Sequence, residues 1–149
     1  MAGPKTYERG ALLLDATYVC TPPHVRIARD DIAHTMLRQG LAERVDDAKL
    51  LVSELVTNVV RHCRSLTVRV VARSTPDTLI LSVSDDSPAL PARHPSSPDD
   101  ERGRGLFLLD LLTDEWGVGT TDHEAKTVWC CLSLAAGATP LSSTPESAL

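Results

Sequence analysis

Three polar residues with different chemistry stand four positions apart in the segment E-L-V-T-N-V-V-R-H: Glu54, Asn58 and His62. At about 3.6 residues per turn this spacing drifts by only about 40° per step, so the three side chains share one face of a helix. An amide oxygen close to a carboxylate suits a hard cation, and the carboxylate can also act as a base. Periodicity alone favours a plainer interpretation, a solvated polar stripe on an amphipathic helix.

A second carboxylate ends the apolar segment L-I-L-S-V-S-D, where Asp85 is followed by Asp86, Ser87 and Pro88. A carboxylate at the end of a strand, where a sheet edge opens into a pocket, can accept a hydrogen bond from an exocyclic amine such as that of adenine. Taken alone, D-D-S-P is more typical of a turn.

Two glycines one residue apart lie in R-G-R-G-L, ahead of an apolar segment. Gly103 and Gly105 would let backbone N–H groups approach an anion at the positive end of a helix, although G-x-G also fits a plain helix entry. Arg102 and Arg104 add positive charge suited to phosphate. Further along, Thr127 can present a hydroxyl to the same pocket, but a β-branched residue in a strand needs no special reason.

Hydrophobic periodicity and turn residues predict the elements that position these residues. We expect a strand in A-L-L-L-D-A-T-Y-V, and then a helix that is capped by Thr21, has Pro22 in its first turn and stops at Gly40. A second helix should start near Asp46 or Asp47 and contain the polar row. A hairpin with its turn at Ser74 to Asp77, a proline-rich loop over residues 86–103, a short helix and a second hairpin complete the chain.

This order, β-α-α-β-β-α-β-β, predicts an α+β fold: a two-layer α/β sandwich with a mostly antiparallel sheet and helices on one face. We expect one domain over residues 11–134, with flexible tails at residues 1–10 and 135–149 because both segments are rich in small and polar residues. A chain of 149 residues with 42% hydrophobic residues can fill such a core without disulfides or metals.

The charge balance and the cysteines exclude several other classes. A net charge of −5 without a block of Lys or Arg argues against nucleic-acid binding, and the apolar runs are too short to cross a bilayer. We therefore expect a cytoplasmic protein. The four cysteines contain no C-x-x-C motif, so we expect free thiols rather than a zinc site; they are Cys20, Cys63, Cys130 and Cys131.

Taken together, the motifs are far more specific than any one of them. In order and spacing, E-L-V-T-N-V-V-R-H, V-S-D-D-S-P-A-L-P, G-R-G-L-F-L-L-D-L-L-T-D-E-W-G-V and K-T-V-W resemble those of small actinobacterial ATP-binding proteins related to anti-sigma factor serine/threonine kinases. Those proteins fall in the wider histidine-kinase-like ATPase class. The resemblance extends over residues 11–134 and implies that fold.

The resemblance also implies roles for individual residues. Glu54 would be the general base, Asn58 would hold Mg²⁺ and phosphate oxygens, and His62 would stand at the edge of the pocket. Asp85 would bind the adenine amino group of ATP with support from Thr127. The remaining nucleotide-binding residues follow from the phosphate-binding segment and from a lid over residues 87–102: Ser87, Arg102, Gly103, Arg104, Gly105 and Leu106.

This sequence departs from the pattern of the wider class at two places. The class has a D-x-G-x-G segment where this chain has Asp85 to Ala89, so both glycines are missing and the loop is stiffer. Glu101 stands where many relatives have a lid glycine, and a carboxylate near phosphates weakens binding unless an arginine offsets it. Both differences bear on nucleotide affinity.

The resemblance implies a kinase that phosphorylates an anti-sigma factor antagonist protein, with a sigma factor as a second partner and a homodimer formed through the first strand and helix. The alternative is a nucleotide-dependent binding module without catalysis. A sensor-kinase fragment ranks below both, because we expect no dimerisation helices or phosphoacceptor domain ahead of the fold.

Overall fold

Strands and helices form where the alternation and helical spacing of apolar residues predict them. The computed structural model describes four stretches of the chain: residues 6–62, 65–85, 107–120 and 125–135. The strands and long helices have these bounds: β1 Ala11–Val19, α1 Pro22–Arg38, α2 Val45–His62, β2 Thr67–Thr75, β3 Thr78–Asp85, β4 Glu115–Thr120 and β5 Lys126–Ser133. Residues 107–112 are helical.

The five strands form one antiparallel sheet in the order β1-β2-β3-β5-β4. Helix α1 contacts β1 and α2, and α2 contacts β2 and β3. Alternate residues of the strands join the helices in the main core, among them Val70, Leu81 and Leu132, none of which is exposed. We call this side of the sheet the helix face and the other side the outer face. The predicted α+β fold is confirmed.

The first helix differs from its prediction in its cap and in its buried face. Thr21 occupies the N-cap position, but its hydroxyl pairs with the ring Nδ1 of His24 at 2.6 Å and makes no cap hydrogen bond to the backbone. Helical spacing predicts that Ile27 and Leu37 lie on the buried side of α1, yet they are 43% and 54% exposed. The side of α1 that is buried in the core is therefore narrower than the number of apolar residues in the helix suggests.

Two further expectations are corrected. Ser74 and Thr75 belong to β2, so the first hairpin turns in two residues rather than four. Within the predicted N-terminal tail, Thr6–Glu8 form a short 3₁₀ helix, and the Tyr7 side chain is 8% exposed. Tyr7 packs on the outer face with Ile80, Cys131 and Trp129, and its hydroxyl donates a hydrogen bond to the Thr120 carbonyl at 2.8 Å.

No helix within the described ranges is long and apolar enough to cross a membrane.

Candidate functional site

Asp85 lies at the end of β3 on the helix face of the sheet. It pairs with Val68, a core residue with no exposed surface, and successive residues of a strand point to opposite faces. Since Val83 also belongs to the main core, the Asp85 side chain continues the same apolar row. At 5% exposure its carboxylate is the polar end of that row. A buried polar group of this kind needs hydrogen-bond partners.

The polar row of α2 lies at the border between the core and the solvent. Glu54 and Asn58 are half-buried and His62 is exposed, whereas most of the apolar residues between them are buried and Val60 is half-buried. The buried residues of this half of the helix are Leu51, Val52, Leu55, Val56 and Val59. Two oxygen-bearing side chains thus stand one helical turn apart beside the core.

The connection between α2 and β2 links the helix that carries this row to the Asp85 end of the sheet. His62 ends α2 and Thr67 begins β2, so the four residues between them span at most about 18 Å. Thr67 precedes Val68, which is the partner of Asp85. Asn58 and Glu54 lie only about 6 and 12 Å back along the helix from His62. The C-terminal end of α2 is therefore joined to the end of the sheet that carries Asp85.

Thr127 is placed differently from its predicted position. It pairs with Ser84, and the two hydroxyl oxygens are 2.7 Å apart in a buried hydrogen bond. Because Ser84 and Asp85 are consecutive in β3, their side chains point to opposite faces. Thr127 thus lies on the outer face, and the predicted direct support of Asp85 by its hydroxyl is wrong.

Lys126, which the sequence reasoning missed, lies on the same face as Asp85. The later even-numbered residues of β5 reach the helix-face core, where Cys130 and Leu132 are buried and Val128 is packed against it. Strand alternation extends this row to Lys126. The signal was present in the sequence but ambiguous, because Trp129 and Cys131 are also apolar and the two possible faces of β5 look alike.

The helical residues 107–112 are held at their C-terminal end by a set of hydrogen bonds. Trp116 donates its indole N–H to an Asp110 carboxylate oxygen at 2.7 Å, and the Asp114 backbone N–H bonds the Cys131 carbonyl at 2.9 Å. Leu109 packs in the main core at 1% exposure. The predicted nucleotide-binding residues of the lid and of the segment just before this helix lie outside the described residues: Ser87 in the lid, and Arg102, Gly103, Arg104, Gly105 and Leu106 ahead of the helix.

The cysteines in the described ranges carry free thiols. Burial raises the pKa of the Cys130 thiol to about 12, and the neighbouring Cys131 adds to this effect. Burial, with Glu115 and Asp114 nearby, also raises the pKa of Cys131. Both thiols stay protonated near neutral pH, which makes them poor nucleophiles and poor metal ligands. Cys63 lies outside the described residues, and within them no cluster of three His, Cys, Asp or Glu side chains could hold a metal ion.

A separate groove of about 550 Å³ lies at the start of α1 and contains none of the predicted site residues. Its lining residues are Pro22, Pro23, Val25, Arg26 and Arg29. We assign no nucleotide to it, because the side chains that could read a base, Asp85 and the polar row of α2, lie elsewhere.

Comparison with known proteins identifies one family for most of the chain. A model described as the histidine kinase-like ATPase domain matches residues 19–132, which is more than half of the chain. No curated protein gives a match. The matched span contains α2, Asp85 and the start of β5, so it includes every described residue of the candidate site.

Proposed function

The chain belongs to the histidine kinase-like ATPase family, and on that basis we propose that it is an ATP-dependent serine/threonine kinase of the anti-sigma factor type. A domain of this family implies ATP as the nucleotide. The proposed acceptor is a serine or threonine hydroxyl of an anti-sigma factor antagonist protein, and a sigma factor is the proposed second partner. Both partners come from the sequence resemblance.

The observation that carries the proposal is a buried carboxylate at the end of β3 on the helix face, with two oxygen-bearing side chains on the helix whose C-terminal end connects to the same end of the sheet. Asp85 is buried at the end of β3, and Glu54 and Asn58 are half-buried on α2, which leads into the start of β2 next to Asp85. In this arrangement Asp85 is a hydrogen-bond acceptor for the base, while Glu54 and Asn58 are suited to phosphate and metal chemistry. It supports a bound nucleotide whose phosphate end, where transfer takes place, lies beside α2.

These donors fit Mg²⁺, which prefers oxygen ligands and is commonly held through one or two protein side chains together with substrate phosphates and water. Asn58 would hold the ion through its amide oxygen. Bound Mg²⁺ would neutralise charge on the phosphates.

The chain's own residues then take distinct roles in the proposed reaction. Asp85 accepts a hydrogen bond from the adenine amino group and so favours ATP. Glu54 accepts the proton of the acceptor hydroxyl, which increases the nucleophilicity of that oxygen. His62 stands at the rim, where its exposure fits a neighbour of the pocket rather than a reacting group. Residues 103–106 are proposed to wrap the phosphates.

A nucleotide-dependent binding module is the second candidate, and one feature of the sequence favours it. Ser87 and Ala89 stand where the wider class has glycines, and Pro88 stands between them, which removes backbone freedom next to Asp85. Such a loop can retain nucleotide while failing to position it for transfer.

The proposed homodimer involves β1 and α1. β1 is an edge strand, which leaves one row of its backbone groups without a partner strand within the described sheet. Leu12 and Val19 on this strand are 51% and 52% exposed, and Leu37 on α1 is 54% exposed. Exposed apolar side chains beside an open strand edge support self-association there.

Transfer of labelled γ-phosphate from ATP to candidate antagonist proteins tests the kinase proposal. Glu54→Gln should lower the transfer rate by about 100- to 10,000-fold, because glutamine retains the shape of the side chain but cannot accept a proton. Its affinity for ATP should stay within a few-fold of the parent. Asn58→Ala should reduce both transfer and affinity, since it removes the proposed metal ligand.

Asp46→Asn is the matched control, because Asp46 is an exposed carboxylate in the first turn of the same helix. This variant should transfer phosphate at the parental rate. Parental transfer by Glu54→Gln would show that Glu54 is not the base. A parent that binds ATP and labels none of the candidates would favour the binding module.

A further inference from the structure

Lys126 and Asp85 occupy neighbouring positions at the end of the helix face. The pairing of β3 with β5 runs without interruption from Thr78 with Ser133 to Ser84 with Thr127. The next residue of β3 is Asp85, and the preceding residue of β5 is Lys126; both belong to their strands. Continuing this register brings their Cβ atoms to about 4.5–5.5 Å, as is usual for directly opposite residues.

The Lys126 ammonium has the freedom to meet a ligand. Its side chain is half-buried, and the described part of the protein shows no ion pair or hydrogen bond from it. The apolar stem of a lysine can lie along the face while the charged end extends beyond it. A carboxylate and an ammonium on adjacent strands therefore provide a strong acceptor beside a strong donor.

We propose that Lys126 is a specificity-determining residue that donates a hydrogen bond to the ring N1 of adenine while Asp85 accepts one from the 6-amino group. This inference rests on the proposed function, because it assumes that ATP is bound at Asp85. Adenine carries these two groups on neighbouring atoms of one edge, in the donor and acceptor order that the two side chains complement. Thr127, one residue away, has no part in the contact because it lies on the outer face.

Calorimetry with ATP and with 1-deaza-ATP, in which a C–H group replaces N1, tests this contact in the parent and in Lys126→Met. The variant should bind ATP about 10- to 100-fold more weakly, the usual loss for a hydrogen bond to a charged group. The parent should lose a similar factor with 1-deaza-ATP. The variant should bind both nucleotides equally, because the two changes remove the same hydrogen bond.

Thr127→Val is the matched control and should bind both nucleotides like the parent. Thermal melting verifies that each variant is folded. If Lys126→Met binds ATP like the parent, or loses the same factor with both nucleotides, the N1 contact is overturned while ATP binding stands. If the parent binds no ATP, the proposed function fails, and the inference fails with it.

Discussion

The two faces of the sheet consist of alternate residues of the same strands, yet they differ in chemistry. The helix face is apolar along its length and ends in Asp85 and Lys126. The outer face carries hydroxyl side chains on the inner strands β3 and β5, where Ser84 and Thr127 share a buried hydrogen bond. Tyr7 covers part of this face through its contacts with Ile80, Cys131 and Trp129.

This difference shows that adjacent residues of one motif can serve opposite sides of the molecule. In K-T-V-W, the lysine belongs to the helix face and the threonine to the outer face. The candidate site is at the end of the helix face. A residue of β3 or β5 therefore contributes to it only if its side chain points to the helix face, as every second side chain of a strand does. The outer face supplies packing contacts and hydrogen bonds rather than site residues.

The largest expected difference between the faces is in the free energy of unfolding. Leu81→Ala should cost about 2–5 kcal/mol, because Leu81 is fully buried in the main core and its truncation leaves a cavity. Ser82→Ala, one residue along β3 on the outer face, should cost at most about 1.5 kcal/mol. Urea unfolding of the two variants measures both values. Equal losses would show that the two faces contribute equally to the free energy of unfolding.

A smaller effect should distinguish two glycines of β4 that both lie on the outer face. A Cβ at Gly117 would stand 2.6 Å from the Trp129 ring, whereas one at Gly119 would stand 3.6 Å from the Tyr7 ring, an ordinary contact. Gly117→Ala should therefore cost about 1–3 kcal/mol by displacing the indole. Gly119→Ala should be neutral or stabilise by up to about 1 kcal/mol, because it restricts the unfolded chain.

Denaturant unfolding followed by Trp fluorescence checks this pair, since Trp129 also reports displacement of its own ring. An unchanged stability and spectrum for Gly117→Ala would mean that the indole adapts without cost. The close approach of Gly117 to the Trp129 ring would then make no contribution to the stability of the protein.

The smallest effect should come from the exposed edge of the outer face, where Arg69 donates two hydrogen bonds to Asp15 at 2.7 and 2.8 Å. These hydrogen bonds, and the charge of Arg69, lower the pKa of Asp15 despite partial burial. A lowered folded-state pKa stabilises the protein above the unfolded value of about 3.9, and this contribution is lost as the pH falls through the folded value.

For this exposed pair we expect a coupling of at most about 1 kcal/mol at pH 7. A double-mutant cycle with Asp15→Asn and Arg69→Gln measures it. The coupling should shrink below pH 4 and in high salt. A coupling that persists at pH 2 would contradict the electrostatic origin.

Much of the fold could be predicted from the sequence because local patterns were strong. β1 and β3 have the predicted bounds, and α2 contains the predicted polar row, with Glu54 and Asn58 at the border of its buried side. Tyr7 was missed because a single aromatic residue in a polar segment has no periodicity. The roles of Ser87 and of residues 102–106 stay predictions.

The sequence by itself determined the order of elements, the spacing of the polar row on α2 and the position of Asp85 at the end of a strand, because each depends on residues close together along the chain. Only the tertiary structure decided the strand order and the face of each residue of β5. Because β5 pairs with both β3 and β4 and is largely buried, apolar residues occupy both faces and hide the alternation. The register with β3 shows which residues of β5 point to which face, because Thr127 pairs with Ser84 on the outer face. Lys126 therefore lies on the helix face, as Asp85 does.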